Sequence, residues 1–537
     1  MKKSKVLILT SRDVLDKTSW SGTDYMMYKA LVDQGHEIIL SGPIRKYRLL
    51  ELAKKYINSV LFMVFKKKYN WSSSNLRGYI IGKKIKRNVE KKDYDVVFAP
   101  AASLEMNYFK TSKPIIYLSD SAASLLTSYY DQYKYFFEFS NKEFYSIEDN
   151  AIKVSSAIVY PSKWVYDFVK SNYKDVENKL RYVNLGANIS IEPDRELINP
   201  KSRFEKKQLL FIGRDWERKG GDIVYKCFIG LIENGIDCEL VVCGCTPPVS
   251  HPKMKVYPYL NKNNKKDFDL FQEILYQSAL LFVPSKAECY GIVYCEAAAY
   301  GLPVISTNTG GIASIVVNKK TGILINEDAD VSEYLKSVKQ ILLNEDIYVQ
   351  FSKNSLFEYD IRLNWMCWGS EVSKIIEEVV EKKDKKIIDW NRERSDKYWV
   401  PSVRLLKSIR DYQKYDNSII YILSKKIAVL RHRFWSVVTG ADIPLNSLIG
   451  GGLMIPHPNG IVIHPEAKIG NNCIIFQQVT IGKGRGGVPT IGHNVSIGAG
   501  AKVLGKITIG DNVVIGANSV VTKSIPCNVI VKGIPAS

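Results

Sequence analysis

From Ala441 onward a branched aliphatic residue returns at every sixth position. The series runs Ile443, Ile449, Ile455, Ile461, slips by two residues, and continues Ile463, Ile469, Ile475, Ile481. Nine residues of Gly-rich insertion then separate it from Ile491, Ile497, Val503, Ile509, Ile515 and Val521. All fourteen positions are Ile or Val. This period matches neither an α-helix, at about 3.6 residues per turn, nor an ordinary strand, at about 2. It belongs to a solenoid in which each coil buries its aliphatics against the next. Gly470-Asn471-Asn472 and Gly510-Asp511-Asn512 mark turns, where the backbone needs small side chains or tolerance of left-handed φ. Three short flat faces per coil predict a left-handed parallel β-helix over 441–537, against the usual right-handed crossover.

One place in the solenoid breaks the pattern with a His between prolines: Leu453-Met454-Ile455-Pro456-His457-Pro458-Asn459-Gly460. With Asp442-Ile443-Pro444, Gln478-Val479-Thr480-Ile481-Gly482, Ile497-Gly498-Ala499-Gly500-Ala501-Lys502 and the closing Gly533-Ile534-Pro535-Ala536, this segment resembles the serine acetyltransferase branch of the hexapeptide acyltransferases. It is similar above all to relatives that O-acetylate bacterial surface polysaccharides. The resemblance implies that His457 is the general base for an acceptor hydroxyl, oriented by Asp442, with Asn459 on the acceptor side. A neutral imidazole suits that task because it titrates near working pH. It also implies an acetyl-CoA site along the insertion at Gly482 and Lys483 and the turns near Ala499, Lys502 and Ala517. Serine-specific members carry a second His in the inserted loop; here Val488 stands there, which argues against free serine as acceptor.

The remaining 440 residues leave room for further domains. Nine scattered cysteines hold no zinc-ligand spacing, so neither a metal nor a permanent cofactor is expected. The apolar run after Met1-Lys2-Lys3 is too short for a signal peptide, and no run approaches a membrane span, so the chain reads as cytoplasmic.

Lys5-Val6-Leu7-Ile8-Leu9-Thr10, a loop with Ser21-Gly22-Thr23, a helix to Gln34 and Gly35-His36-Glu37-Ile38-Ile39-Leu40 make a β-loop-α-β opening. Strands are expected again at 95–99 and 114–118, the latter running into Ser119-Asp120-Ser121. Asp120, at a strand's C-terminal end, is either a crevice residue or a helix N-cap. A second α/β unit begins after Asn199-Pro200, with strands at 208–212, 239–244 and 279–284. Its loops hold Gly213-Arg214-Asp215-Trp216-Glu217-Arg218-Lys219-Gly220-Gly221, then Glu288 and Glu296 with seven residues between them, then Gly301-Leu302-Pro303 and Gly310-Gly311. In this order these resemble the GT-B glycosyltransferases, specifically glycosyltransferase family 4. The resemblance implies that Glu288 contacts the donor sugar and Glu296 the nucleotide ribose. It gives Arg214 and Lys219 to the diphosphate and Gly22 to the glycine loop of the first half. Fixed cations stabilise a departing nucleotide diphosphate without a metal. Two departures stand out: Asp120 or its neighbours occupy a place that often holds His, and Ser314 replaces a Glu after the double glycine.

Residues 44–92 hold fifteen Lys/Arg against two Glu, +13 of the chain's +20. Apolar residues are interleaved, most densely in Val60-Leu61-Phe62-Met63-Val64-Phe65-Lys66-Lys67-Lys68-Tyr69-Asn70-Trp71. No nucleic-acid reading motif accompanies the charge. The segment reads as a patch for an anionic membrane surface, with a plain solvated basic face as the alternative. Glu381–Lys386 reads as a charged linker, followed by a helical segment to about Val438 that includes Ile419 and Ile420. His36, His464 and His493 read as turn residues, and His432 as part of a basic helix end.

Four segments result: Rossmann-like halves at 1–195 and 196–380, a linker and helical segment at 381–440, and the β-helix at 441–537. The expected whole is a bifunctional enzyme of bacterial surface-glycan synthesis, peripheral at the inner face of the membrane and homotrimeric. Its co-substrates would be a nucleotide-diphosphate sugar and acetyl-CoA, and its acceptor a glycan or lipid-linked oligosaccharide. Two alternatives stay open: a glycosyltransferase with a non-catalytic trimerisation stalk, and a small-molecule acetyltransferase with a degenerate sugar site.

Overall fold

The computed structural model describes residues 3–44, 48–384, 388–397, 399–414 and 422–536. Lys385, Lys386, Ile419 and Ile420, and positions 45–47 of the basic segment, lie outside the described residues. The chain forms two compact units, Met1–Val380 and Glu381–Ser537.

The first unit holds two six-stranded sheets. One is built of β1 (Lys5–Ile8), β2 (Glu37–Leu40), β3 (Val96–Pro100), β4 (Ile115–Leu118), β5 (Ala157–Tyr160) and β6 (Leu180–Tyr182), in the order β2-β1-β3-β4-β5-β6. The other is built of β7 (Gln208–Ile212), β8 (Glu239–Cys243), β9 (Met254–Tyr257), β10 (Leu280–Phe282), β11 (Val304–Thr307) and β12 (Gly322–Ile325), in the order β12-β11-β10-β7-β8-β9. Every pairing in both sheets is parallel. Helices cover both faces, so central strands such as β3, β5 and β10 are buried throughout and read as unbroken apolar runs. In each sheet the order reverses beside the first strand, which opens a crevice at the strands' C-terminal ends.

In the second unit the six-residue series becomes three sheets of four short parallel strands. One face stacks Leu448–Ile449, Lys468–Ile469, Thr490–Ile491 and Thr508–Ile509. A second stacks Val462–Ile463, Thr480–Gly482, Lys502–Leu504 and Val520–Val521. The third stacks Ile474–Ile475, Ser496–Ile497, Val514–Ile515 and Ile530–Val531. This is the left-handed parallel β-helix. All fourteen positions of the series are buried, none more than 8% exposed. A smaller residue two places earlier, such as Ala467, Cys473, Val495 or Ala501, fills the rest of each layer. One corner is turned by Asn472, Asn494, Asn512 and Asn528, at φ 57°, 55°, 56° and 63°. Their amides form a ladder, Asn494 donating to Asn512 at 3.1 Å and Asn512 to Asn528 at 2.7 Å. Asn tolerates left-handed backbone better than any other side-chain-bearing residue and can answer its neighbour's amide. The two-residue slip between Ile461 and Ile463 is taken up by an enlarged turn after Ile455, at a different corner, and His457 sits in it.

Candidate functional sites

In the first unit the crevice is a cavity of about 520 Å³. Lys17, Arg214, Arg218, Lys219 and Lys262 line it with Glu288 and Glu296, five cations against two carboxylates. The loop after β7 carries Arg214 at its exposed start and Lys219 at its buried end. It is pressed onto the end of β10: a Cβ on Gly220, at φ +74°, would lie 2.1 Å from the Pro284 carbonyl oxygen. That close approach delivers the Lys219 ammonium to the Glu288 carboxylate, and the two form an ion pair. Glu296 is 3% exposed on the helix Ile292–Ala299, and Lys262 meets it at 2.5 Å. Buried charges of this kind persist only when paired. Arg214 makes no ion pair or hydrogen bond with any described residue, so its guanidinium is available to an anion.

Glu288 is held from three sides. Its backbone N–H donates to Tyr129 Oη at 3.0 Å, and its carbonyl accepts from the Gly311 N–H at 3.1 Å. The same Tyr129 hydroxyl meets Thr309 Oγ1 at 2.7 Å. A Cβ on Gly310 would fall 2.0 Å from the Glu288 carbonyl oxygen, and one on Gly311 2.0 Å from that of Cys289. The double glycine is therefore a packing surface for the Glu288 loop. Ser314, beyond it, accepts the Lys163 N–H at 2.8 Å.

Gly22 adopts φ +95° and caps the helix Thr23–Asp33. It does not line the cavity, although its neighbour Ser21 does. Asp120 follows β4 and is half-buried. Desolvation pushes its carboxyl up to about 6, with the charge of Glu288 adding and that of Arg12 opposing. Lys17, Lys262 and Tyr129 fall in no motif, and Arg218, within the Gly213–Gly221 loop, has no role assigned to it from the sequence.

In the second unit the residues marked for acetyl transfer border one face of the prism, the one that begins at Val462. Asp442 pairs with Val462 through its backbone. His457 and Asp442 are both exposed, and no hydrogen bond joins them among the described residues. Asn459 accepts the Gln478 N–H at 2.9 Å, and the Gln478 carbonyl accepts the Lys502 ammonium at 2.8 Å, so Asn459, Gln478 and Lys502 stand on three successive coils. Ala499 and Ala517 occupy later turns of the same corner, the Asn518 N–H donating to the Ala499 carbonyl at 2.8 Å. Gly482 and Lys483 lie at the far border of that face. There the insertion closes on itself through Gly484 and Gly487, at 3.0 and 3.3 Å. His464 and His493 take the turn roles expected of them. The ring of His464 accepts the Glu466 N–H at 3.2 Å and that of His493 the Asn471 N–H at 2.9 Å. His36 is buried between the Ser4 N–H at 3.3 Å and Ser373 Oγ at 2.9 Å.

Two facing parallel sheets around a cationic crevice define a GT-B fold, and the prism beside them in sequence is that of the hexapeptide transferases. Residues 194–356 match the family described as glycosyl transferases group 1. Residues 489–523 match the bacterial transferase hexapeptide family. Sucrose-phosphate synthase from Thermosynechococcus elongatus superposes with a TM-score of 0.52 at 14% identity, over 71% of this chain and 100% of that one, a likeness of fold. Serine acetyltransferase from Mycobacterium tuberculosis is 45% identical over 107 residues, 19% of this chain and 46% of its own length. That from Staphylococcus xylosus is 48% identical over 119 residues, 21% of this chain and 53% of its own. The chain thus spans about half the length of the curated relatives it matches. It carries a group 1 glycosyltransferase domain and a hexapeptide-repeat region homologous to serine acetyltransferases.

Proposed function

We propose that the chain is a bifunctional transferase of bacterial surface-glycan synthesis. The first unit moves a sugar, with retention, from a nucleotide-diphosphate sugar to a glycan or lipid-linked acceptor. The second moves acetyl from acetyl-CoA to a sugar hydroxyl. The observation that carries the first half is the pairing of Glu288 with Lys219 and Glu296 with Lys262 in one cation-rich cavity. A departing diphosphate gains negative charge, which Lys219 and the unpaired Arg214 are placed to stabilise. Glu296 would take the ribose hydroxyls, and Glu288, on its braced loop, the donor sugar.

For acetyl transfer, the acceptor hydroxyl oxygen attacks the thioester carbonyl while the His457 imidazole takes its proton. The C–S bond breaks, and the CoA thiolate receives that proton. Asp442 would orient the imidazole once substrates fill the face, and Asn459 would hold the acceptor. Gly482, Lys483, Ala499, Lys502 and Ala517 would line the CoA groove. Val488, in the place of a second His, favours a sugar hydroxyl over free serine. The outward strand residues Leu448, Val462, Val514 and Ile530 are exposed and apolar, which supports a homotrimer through 441–537.

The helix Arg48–Phe65 supports a peripheral seat at the inner face of the membrane. It exposes Leu52, Tyr56, Val60, Met63, Val64 and Phe65 beside a basic run.

Measuring both activities by product mass in two variants tests the reading. His457→Ala should lower acetyl transfer by about 10²–10⁴ and spare sugar transfer. Glu288→Ala should abolish sugar transfer yet leave acetylation of a pre-made glycan intact. Wild-type acetylation by His457→Ala would show that the base is elsewhere, and loss of acetylation in Glu288→Ala that the two sites are coupled.

A further inference from the structure

The helix Ile422–Thr439 contains no acidic residue. Leu423, Ile427, Leu430, Phe434 and Val437 recur at alternating spacings of four and three, which aligns them in one stripe along the helix. All five are exposed, Leu423 by 70% and Val437 by 83%, with Val438 beside them. The opposite side does the packing within the unit. Ala428 is buried there, the His432 ring meets the Ile443 carbonyl at 2.8 Å, and Arg431 pairs with Asp411 at 2.9 Å. Lys426 and Arg433, seven residues apart, are exposed along one border of the stripe and have no ion pair among the described residues. Near the C-terminal end Phe434 packs on Trp435 at 5.0 Å, and Trp435 on the exposed Trp399 at 5.2 Å.

We propose that this face lies on an anionic phospholipid bilayer, giving the second unit a membrane contact of its own. The four-three spacing alone would also suit a second copy of the helix, since it is the spacing of a coiled-coil seam. The charges decide between the two. Self-pairing would run Lys426 and Arg433 along a seam on a helix with no carboxylate to answer them, whereas anionic headgroups supply the missing charge. The geometry agrees: among the described residues no helix is long and apolar enough to cross a membrane, and an amphipathic helix with a basic border lies in the headgroup plane. An exposed indole such as that of Trp399 favours that level, where one edge is apolar and the other wet. The proposal uses neither catalytic assignment.

The test is flotation of the full chain with vesicles of phosphatidylcholine alone or mixed with phosphatidylglycerol. Met63→Ser and Phe65→Ser are introduced first, to weaken the patch on the other unit. The expected result is residual binding to the anionic vesicles that fades with salt. It should fall on the order of tenfold or more on adding Lys426→Glu and Arg433→Glu, because two cations are lost. Leu430→Ser with Phe434→Ser should lower it as well. Both pairs change exposed side chains, and circular dichroism checks that the variants fold. Binding that ignores the charge reversal, or is equal on neutral vesicles, overturns the proposal. So does a fall in particle mass by light scattering in these variants without loss of vesicle binding, since the face would then seat a second copy.

Discussion

Lys262 and Lys219 each neutralise one glutamate of the crevice, and Asp120, after β4, feels the charges of Glu288 and Arg12. The Asp120 carboxyl, ordinarily at 3.8, is raised to about 6 by desolvation. Between those two values the folded state binds more protons than the unfolded one. Stability from this group is therefore full below about pH 4 and declines as pH rises toward about 6. Asp120→Asn removes the decline. The variant should be more stable than wild type at about pH 8, on the order of 1 kcal/mol after screening of this half-buried carboxyl, and equal to it near pH 4. Urea unfolding at both pH values measures this, and no gain at the higher pH would mean that Asp120 is well solvated. Gly310 makes a second residue-scale case. Its φ is +53°, and an added Cβ would meet the Glu288 carbonyl oxygen at 2.0 Å and Tyr129 Oη at 2.7 Å. Gly310→Ala must displace the Glu288 loop, so sugar transfer should fall by about 10² while acetyl transfer holds. Retention of both rates would sink the bracing role given to the double glycine.

Among the elements, the helix Arg48–Phe65 has the clearest sequence origin. It is amphipathic, and its apolar side stays exposed although the chain has ample core elsewhere. Lys66, Lys67 and Lys68 follow it directly, with Lys68 over the Phe62 ring at 4.8 Å and Lys67 bound to the Lys134 carbonyl at 2.6 Å. Attraction of such cations to headgroups is screened over about 10 Å at 0.1 M salt. Binding to anionic liposomes should therefore weaken with salt, and further on charge reversal of Lys66, Lys67 and Lys68. Equal binding to neutral and anionic vesicles would assign the patch another purpose. The β-helix corners are the other instructive element. Both corners turn through left-handed backbone: Asn472, Asn494, Asn512 and Asn528 do so at one, and Gly460, Gln478, Gly500 and Asn518 at the corner after His457. Only the first is filled by Asn on every coil, where the side chains also hydrogen-bond one another.

For the whole molecule the prediction concerns assembly. A prism with apolar residues pointing outward from its flat faces has surface left to bury. Light scattering at micromolar concentration should report three times the 60.9 kDa of one chain, or six times it if trimers pair. A monomer at that concentration would defeat the trimer.

What the sequence determined by itself was everything whose signal is periodic or local. The six-residue series specified the β-helix because each of its aliphatics fills one layer of a one-dimensional stack, so pattern and core coincide residue for residue. Apolar runs specified seven of the twelve strands, β1 to β4, β7, β8 and β10, because strands covered on both faces need no polar alternation. Glu288, Glu296, Arg214 and Lys219 were legible as a set because they fall within a single half of the fold, after the neighbouring strands β7 and β10. The tertiary structure alone decided the partners. Lys262 lies in an ordinary polar loop, and Tyr129 reaches Glu288 across 159 residues of chain. No local pattern marks either residue, because what selects them is position at the mouth of a crevice that exists only after the strands have paired. The same holds for the stripe on Ile422–Thr439. Its spacing is in the sequence, but only the packing of the opposite face shows that the stripe is left for something outside the chain.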